Sequence, residues 1–154
     1  MKKQILTIIT ILFVNIFYAQ WQTKHYVDDF GEKTDETFKS LVAYGTFSNS
    51  VTTNSEAMYH FVKDATSLSI NIYEYKTQKA TSIESLFVKV KVKTPSGDIN
   101  TVDDVLFSKT GVLYFSKEKF NKINNILKES GKYIIVFNRN GSYSTSEYKI
   151  ILTQ

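Results

Sequence analysis

The sequence predicts a mainly β protein, an antiparallel β-sandwich or open barrel of about eight short strands with one helix over residues 117–130. Aromatic residues make up 14% of the chain, proline occurs once, and valine, isoleucine and threonine are frequent, a composition that favours strands. Short strand-like segments recur between turn signals at the spacing of roughly 8–12 residues that is typical of sandwiches and barrels. Helical spacing of apolar residues occurs in one segment, and nothing resembles repeated βαβ units.

The clearest predicted strand covers residues 86–93. Apolar and basic residues alternate along it, which predicts one buried and one solvent-facing side. The buried side holds Leu86, Val88, Val90 and Val92, and the other side holds Lys89, Lys91 and Lys93. Such lysines could bind acidic polysaccharide or lipid headgroups, but protection of an edge strand and solubility are their commoner uses, and these are the roles that we expect.

Eight other segments predict strands, and polar or turn-forming residues separate them. They cover residues 21–27, 38–44, 57–63, 67–75, 99–107, 112–115, 133–137 and 143–152. The clearest turns are residues 94–98, with one proline and one glycine, and Asn140–Gly141, a strong hairpin signal. The polar stretch 45–55 predicts a loop, and the uninterrupted apolar run 133–137 predicts a central strand buried on both faces.

The period of the apolar residues changes near residue 116. Ser116 is a predicted N-cap and Gly131 a predicted C′ glycine, so the helix lies between them. The helical stripe that we expect to contact the core consists of Phe120, Ile123, Ile126 and Leu127. We expect this helix to cap an open end of the β structure or to cover one face of it.

The first residues of the chain predict an export signal. Lys2 and Lys3 precede an apolar run that ends at the small residue Ala19. That run is shorter than the roughly 20 apolar residues of a membrane span. We therefore expect residues 1–19 to be a signal peptide and residues 20–154 to form a single exported domain, periplasmic or extracellular, with no transmembrane span. Because the chain has no cysteine, we expect no lipoprotein anchor.

Composition also excludes several classes of function. A chain without cysteine has no disulfides, thiolate zinc sites, cysteine nucleophiles or iron–sulfur clusters. Lys2 and Lys3 contribute half of the formal net charge of +4, and Arg139 is the single arginine, so nucleic acid is not the expected partner. No glycine-rich phosphate loop is present, and we predict no cofactor.

Two groups of residues are weak candidates for chemistry. His25 and His60 lie in predicted strands and could bind a metal or transfer protons, although half-exposed strand positions account for them. Clustered carboxylates could bind calcium, but their spacing matches no calcium loop, and solvated turn residues are the simpler interpretation. These acids are Asp28, Asp29, Glu32, Asp35, Asp103 and Asp104.

A binding face is predicted on the strand at residues 67–75. Ser69, Asn71, Tyr73 and Tyr75 lie opposite its apolar side, and such a face resembles surfaces that bind sugars or peptides, because rings stack while amides and hydroxyls form hydrogen bonds. Trp21 would join this patch if its ring is exposed. The predicted ligand-binding residues are therefore Trp21, Asn71, Tyr73 and Tyr75, and no catalytic or metal residues are predicted. The alternative is that both tyrosines form cross-strand pairs or pack under a loop.

Two resemblances concern export. The apolar run that ends in Phe17, Tyr18, Ala19 and Gln20 resembles signal peptides of Bacteroidetes, and the lysine- and asparagine-rich composition is similar to theirs. The rest of the chain resembles small exported β-rich proteins of these bacteria, which implies export and a β-rich fold but no particular activity. Residues 131–151 also resemble the last hairpin of type IX secretion sorting domains.

The sequence favours a non-catalytic interaction or structural module that binds a protein, peptide or glycan at the cell surface or in the periplasm. Abundant aromatic residues and the absence of catalytic motifs are the basis for this prediction. Two alternatives stay open: a small secreted hydrolase with a carboxylate or histidine site, and a calcium-stabilised surface module. The sequence does not indicate an oligomeric state.

Overall fold

The computed structural model describes residues 20–141 and 144–154, which form ten strands and one helix. The predicted signal peptide at residues 1–19 lies outside the described residues. In chain order, the elements are β1 Gln22–Val27, β2 Lys33–Asn49, β3 Ser55–Lys63, β4 Ser67–Glu74, β5 Gln78–Lys79, β6 Leu86–Lys93, β7 Ile99–Phe107, β8 Val112–Ser116, α1 Lys117–Ile126, β9 Lys132–Asn140 and β10 Thr145–Thr153. The prediction of a mainly β protein with one helix is confirmed.

The strands form a closed eight-stranded antiparallel barrel and not a sandwich. Its strand order is β2-β10-β9-β6-β7-β8-β4-β3, and β3 pairs with β2 to close the circle. The two remaining strands lie outside this circle. Strand β1 pairs with the first part of β2, and β5 pairs with β4. The predicted sandwich is therefore wrong, since one continuous sheet curls until its ends pair, whereas the barrel alternative agrees with the structure.

The interior of the barrel is filled by side chains. Alternate residues of each strand point inward, and the inward positions are almost all apolar and buried. At the centre, the Tyr148 ring stacks on Phe137 at 4.9 Å between ring centroids and lies 6.1 Å from Phe107 and 6.4 Å from Phe47. The Tyr148 hydroxyl donates a hydrogen bond to Glu74 Oε1 at 2.8 Å. The interior of an eight-stranded barrel is just wide enough for such a packed core. A binding site is therefore expected on the outer surface.

Helix α1 closes one end of the barrel. Phe120 and Ile123 are its buried residues, which confirms that the apolar stripe contacts the core. The helix ends at Ile126, four residues before the predicted limit, and Ser116 is its N-cap without a side-chain hydrogen bond. Gly131 is not the C′ residue; it exchanges two backbone hydrogen bonds with Gln154 and thereby continues the sheet.

Strand β2 continues through the stretch 45–49, where a loop was predicted. Gly45 is the reason: β10 crosses so closely that a Cβ at this position would lie 2.0 Å from the carbonyl oxygen of Lys149. Glycine inside a strand often indicates such a close approach or a barrel corner. The residue that resembles a strand breaker in the sequence therefore permits the pairing of β2 with β10.

Strands β6 and β9 correct two further predictions. The run 133–137 is not buried on both faces, because β9 alternates and its Ile134 and Val136 lie half-buried on the outer surface. Strand β6 has its predicted bounds and its predicted alternation, but it pairs with β7 on one side and with β9 on the other. Over residues 90–93 it is not an edge strand, so Lys91 and Lys93 do not protect an edge.

Candidate functional site

An open groove of about 870 Å³ crosses the outer surface where β1, β2, β3 and β10 meet. Val42, Tyr44 and Ile151 form its apolar floor, with 41%, 56% and 40% of their surface exposed. They come together because the outward positions of β2 alternate and because Ile151 of β10 lies directly across from Tyr44. Polar side chains surround this floor, and they are Gln20, Gln22, Lys24, Ser40, Thr46, Glu56, His60 and Thr153.

Ser40 and His60 form a hydrogen-bonded pair in the groove. Ser40 Oγ and His60 Nε2 lie 2.8 Å apart, on neighbouring strands β2 and β3. Ser40 is nearly buried, with 3% of its surface exposed. Burial, together with the positive charge of Lys24, lowers the pKa of His60 below its ordinary value. Both causes favour the neutral form of the imidazole.

Among the described residues, no carboxylate partner of the kind found beside a catalytic serine and histidine accompanies this pair. A base that removes a serine proton becomes an imidazolium, which catalytic sites stabilise with a carboxylate. Here the charged neighbour that shifts the His60 pKa is Lys24, a cation that disfavours the imidazolium. The carboxylate of Glu56, which also lines the groove, is in an ion pair with Lys76 at 2.7 Å. The geometry fits hydrogen bonding to a ligand better than nucleophilic catalysis.

A two-stranded arm extends the same face beyond the barrel. Strand β1 is exposed along its whole length and pairs with the first part of β2, with Lys24 across from Phe38. Phe38 shares the outward face of β2 with Ser40 and Val42, and its ring lies 4.8 Å from that of Tyr26. In the described part of the chain β1 pairs with β2 alone, so its other edge presents free backbone donors and acceptors.

The structure separates the four predicted ligand-binding residues. Asn71 and Tyr73 do share an outward face of β4, where Asn71 lies across from His60 and Tyr73 lies across from Met58. Since His60 lines the groove and Met58 is paired with the groove residue Tyr44, Asn71 and Tyr73 lie beside the groove, outside its lining residues. They extend its polar and aromatic margin toward β4.

Tyr75 and Trp21 lie at opposite ends of the barrel and outside that face. Tyr75 has a φ of 51° and its ring meets Phe47 edge-on at 5.0 Å, so it covers the end away from the helix. Trp21 is half-buried near the helix, where its Nε1 donates a hydrogen bond to Gln154 Oε1 at 3.1 Å and its ring contacts Phe61. Neither ring adds to a patch with Tyr73.

The histidines and acidic residues do not converge. His25 lies on the exposed arm with its Nδ1 2.9 Å from the carbonyl oxygen of Thr34, away from His60. Asp28 accepts backbone hydrogen bonds within its own turn, and Asp103 pairs with Lys89 at 3.2 Å. Among residues 20–141 and 144–154, no group of three or more histidine or acidic side chains could hold a metal ion.

Sequence reasoning missed most of the groove. Val42, Tyr44 and Ile151 look like ordinary strand residues, because each is part of an alternating pattern whose outward face is assigned only when the strand pairing is known.

No protein-family model, curated protein or solved structure matches this chain. The described segments contain no helix that is long and apolar enough to cross a membrane. Function is therefore inferred from the geometry of these residues.

Proposed function

We propose that this protein is an exported, non-catalytic interaction module that binds an extended peptide segment of a partner protein along the groove and the arm. The observation that carries the proposal is the grouping of Val42, Tyr44 and Ile151, each at least 40% exposed, on the floor of one groove, with exposed Tyr26 on the adjoining arm. Exposed apolar groups that cluster within a polar rim are typical of interaction sites. The predicted signal peptide supports export.

An extended peptide fits this face better than a glycan does. The free edge of β1 can pair with a peptide backbone, and the apolar floor, which lies on β2 and β10 beyond the arm, can accept side chains where the same peptide continues onto the barrel. The Ser40 and His60 pair and the amide of Gln22 add hydrogen-bonding groups at the rim. Backbone pairing would supply affinity and the floor would supply specificity.

A display library of short random peptides tests the proposal. Peptides selected on the protein should be rich in apolar residues at alternate positions, and Tyr44→Ala should weaken their binding by about 1–2 kcal/mol, the loss expected when a central aromatic contact is removed. Tyr114→Ala is the matched control, since Tyr114 is a tyrosine of β8 with 40% of its surface exposed away from the groove. Equal losses in both variants, or the failure to select any peptide, would contradict the proposal.

The backbone of the peptide provides an independent test. Strand addition uses the N–H groups of every second residue of the peptide. We therefore expect that N-methylation at every second position of a selected peptide abolishes binding. N-methylation at the positions in between should leave binding unchanged. Tolerance of N-methylation at every position would show that the edge of β1 is not used.

A further inference from the structure

The lysines of β6 form a second surface that is not part of the groove. Lys89, Lys91 and Lys93 point outward from β6, and the part of this strand that carries Lys91 and Lys93 is paired on both sides, so protection of a free edge does not account for those two. Strand geometry places successive outward residues roughly 6.6–6.8 Å apart. The result is a row of three exposed lysines along the outer face of β6.

Two of these lysines have uncharged neighbours across the sheet. Lys89 pairs with Asp103 at 3.2 Å. Lys91 lies between Thr101 and Val136, and Lys93 lies between Ile99 and Ile134. Within the described chain, no carboxylate lies within ion-pairing distance of Lys91 or Lys93.

A fourth lysine widens this row into a face. Lys149 of β10 lies across from Val136, which in turn lies across from Lys91. Two strand spacings separate Lys149 from Lys91, a distance of about 10 Å between their backbones. We call Lys89, Lys91, Lys93 and Lys149 the lysine face. Half-buried Val136 and Ile134 form the apolar surface between these ammonium groups.

A shallow groove of about 420 Å³ runs beside the lysine face. Phe87 lines this groove with 73% of its surface exposed, which is unusual for a large aromatic side chain. Asn138 and Asn140 of β9 add exposed amides, and Glu147 adds one carboxylate to the same groove. The surface thus combines cations, amides and an aromatic ring in one elongated site.

We propose that the lysine face and its groove bind an acidic polysaccharide. The ammonium groups of Lys91 and Lys93 would pair with successive carboxylates of the polymer, the asparagine amides would bind sugar hydroxyls, and the ring of Phe87 would stack on a sugar face. Glu147 within the site disfavours a densely charged polyanion such as nucleic acid. This site does not depend on the peptide groove, because different residues line the two.

Binding of polygalacturonate to the purified protein tests this proposal. Wild-type protein should bind polygalacturonate at low salt, bind it more weakly as salt rises, and leave neutral dextran unbound. Lys91→Gln with Lys93→Gln should lower the affinity about tenfold, since each exposed ion pair contributes a factor of about two to five. Phe87→Ala should lower the affinity several-fold without changing the dependence on salt.

The control variant removes the same charge elsewhere. Lys79 and Lys128 are exposed and lie on β5 and after the helix, so Lys79→Gln with Lys128→Gln should bind as wild type does. Equal losses of affinity in both double variants would show that binding depends on net charge alone and would overturn the proposal. Equal or tighter binding of a DNA oligonucleotide or of anionic lipid vesicles would assign the face to another ligand class. Tyr44→Ala should leave polygalacturonate binding unchanged, which separates this test from that of the peptide groove.

Discussion

For Gly45→Ala, the sequence and the structure predict opposite changes in folding stability. Gly45 lies inside β2 with ordinary extended backbone, and there alanine is normally favoured over glycine by roughly 0.5–1 kcal/mol. In the barrel, the added Cβ would lie 2.0 Å from the backbone oxygen of Lys149 and 3.0 Å from the Cα of Ile150. Those atoms belong to the backbone of β10 and cannot rotate away as a side chain would.

The expected loss follows from the movement that this contact imposes. Real Cβ atoms essentially never come within 3.0 Å of another heavy atom, so β2 and β10 must separate by about 1 Å. Overpacking of this kind costs roughly 1–3 kcal/mol, and the paired backbone hydrogen bonds on either side of Gly45 would also weaken. We expect a net destabilisation of about 2–3 kcal/mol, which corresponds to a decrease in Tm of about 5–10 °C for a domain of this size.

Urea unfolding and thermal melts of Gly45→Ala and Gly141→Ala measure this effect. Gly141 is the matched control, because among the described residues the nearest atom to its added Cβ is the backbone oxygen of Ser144 at 3.4 Å, an ordinary contact, and its φ is not positive. Gly141→Ala should therefore change stability by less than about 1 kcal/mol. A Gly45→Ala protein as stable as wild type would refute the close approach of β2 and β10, and with it the geometry of the groove floor.

Two further predictions concern the core and the groove. Tyr148→Phe should destabilise the protein by about 1–2 kcal/mol in urea unfolding, because it removes the hydroxyl that donates to the Glu74 carboxylate and retains the ring stacking. Stability equal to wild type would show that this hydrogen bond contributes nothing. Since burial and Lys24 lower the pKa of His60, the unfolded chain binds a proton at this residue more readily than the folded chain does, and folding stability should fall as the pH decreases below about 6.5. His60→Gln should lack that component in melts between neutral and mildly acidic pH, and parallel pH profiles of the two proteins would contradict the assignment.

Local patterns were sufficient to predict most strands but not how they assemble. Alternation and turn residues placed β6 and β7 at their observed bounds, because these signals act over a few residues. Closure of the barrel depends on the pairing of β2 with β3 and of β4 with β8, and the second of these joins segments more than 40 residues apart. No local feature distinguishes these pairings from those of a sandwich.

The candidate site shows the same limit. Asn71 and Tyr73 were correctly placed on one outward face, since strand periodicity alone decides this. Trp21 and Tyr75 were grouped with them incorrectly, because the turn after β4 redirects Tyr75 and tertiary contacts with Gln154 and Phe61 hold Trp21. The groove floor brings together β2 and β10, so its apolar residues became recognisable only when the strand order was known.

Amide chemical-shift mapping with the tightest selected peptide tests the central claim most directly. We propose that the peptide lies along β1 and the outward face of β2. The account predicts shift changes concentrated in residues 22–27, 38–46 and 151–153, with smaller changes at Asn71 and Tyr73. Changes concentrated on the lysine face or around helix α1, with the groove unaffected, would contradict it.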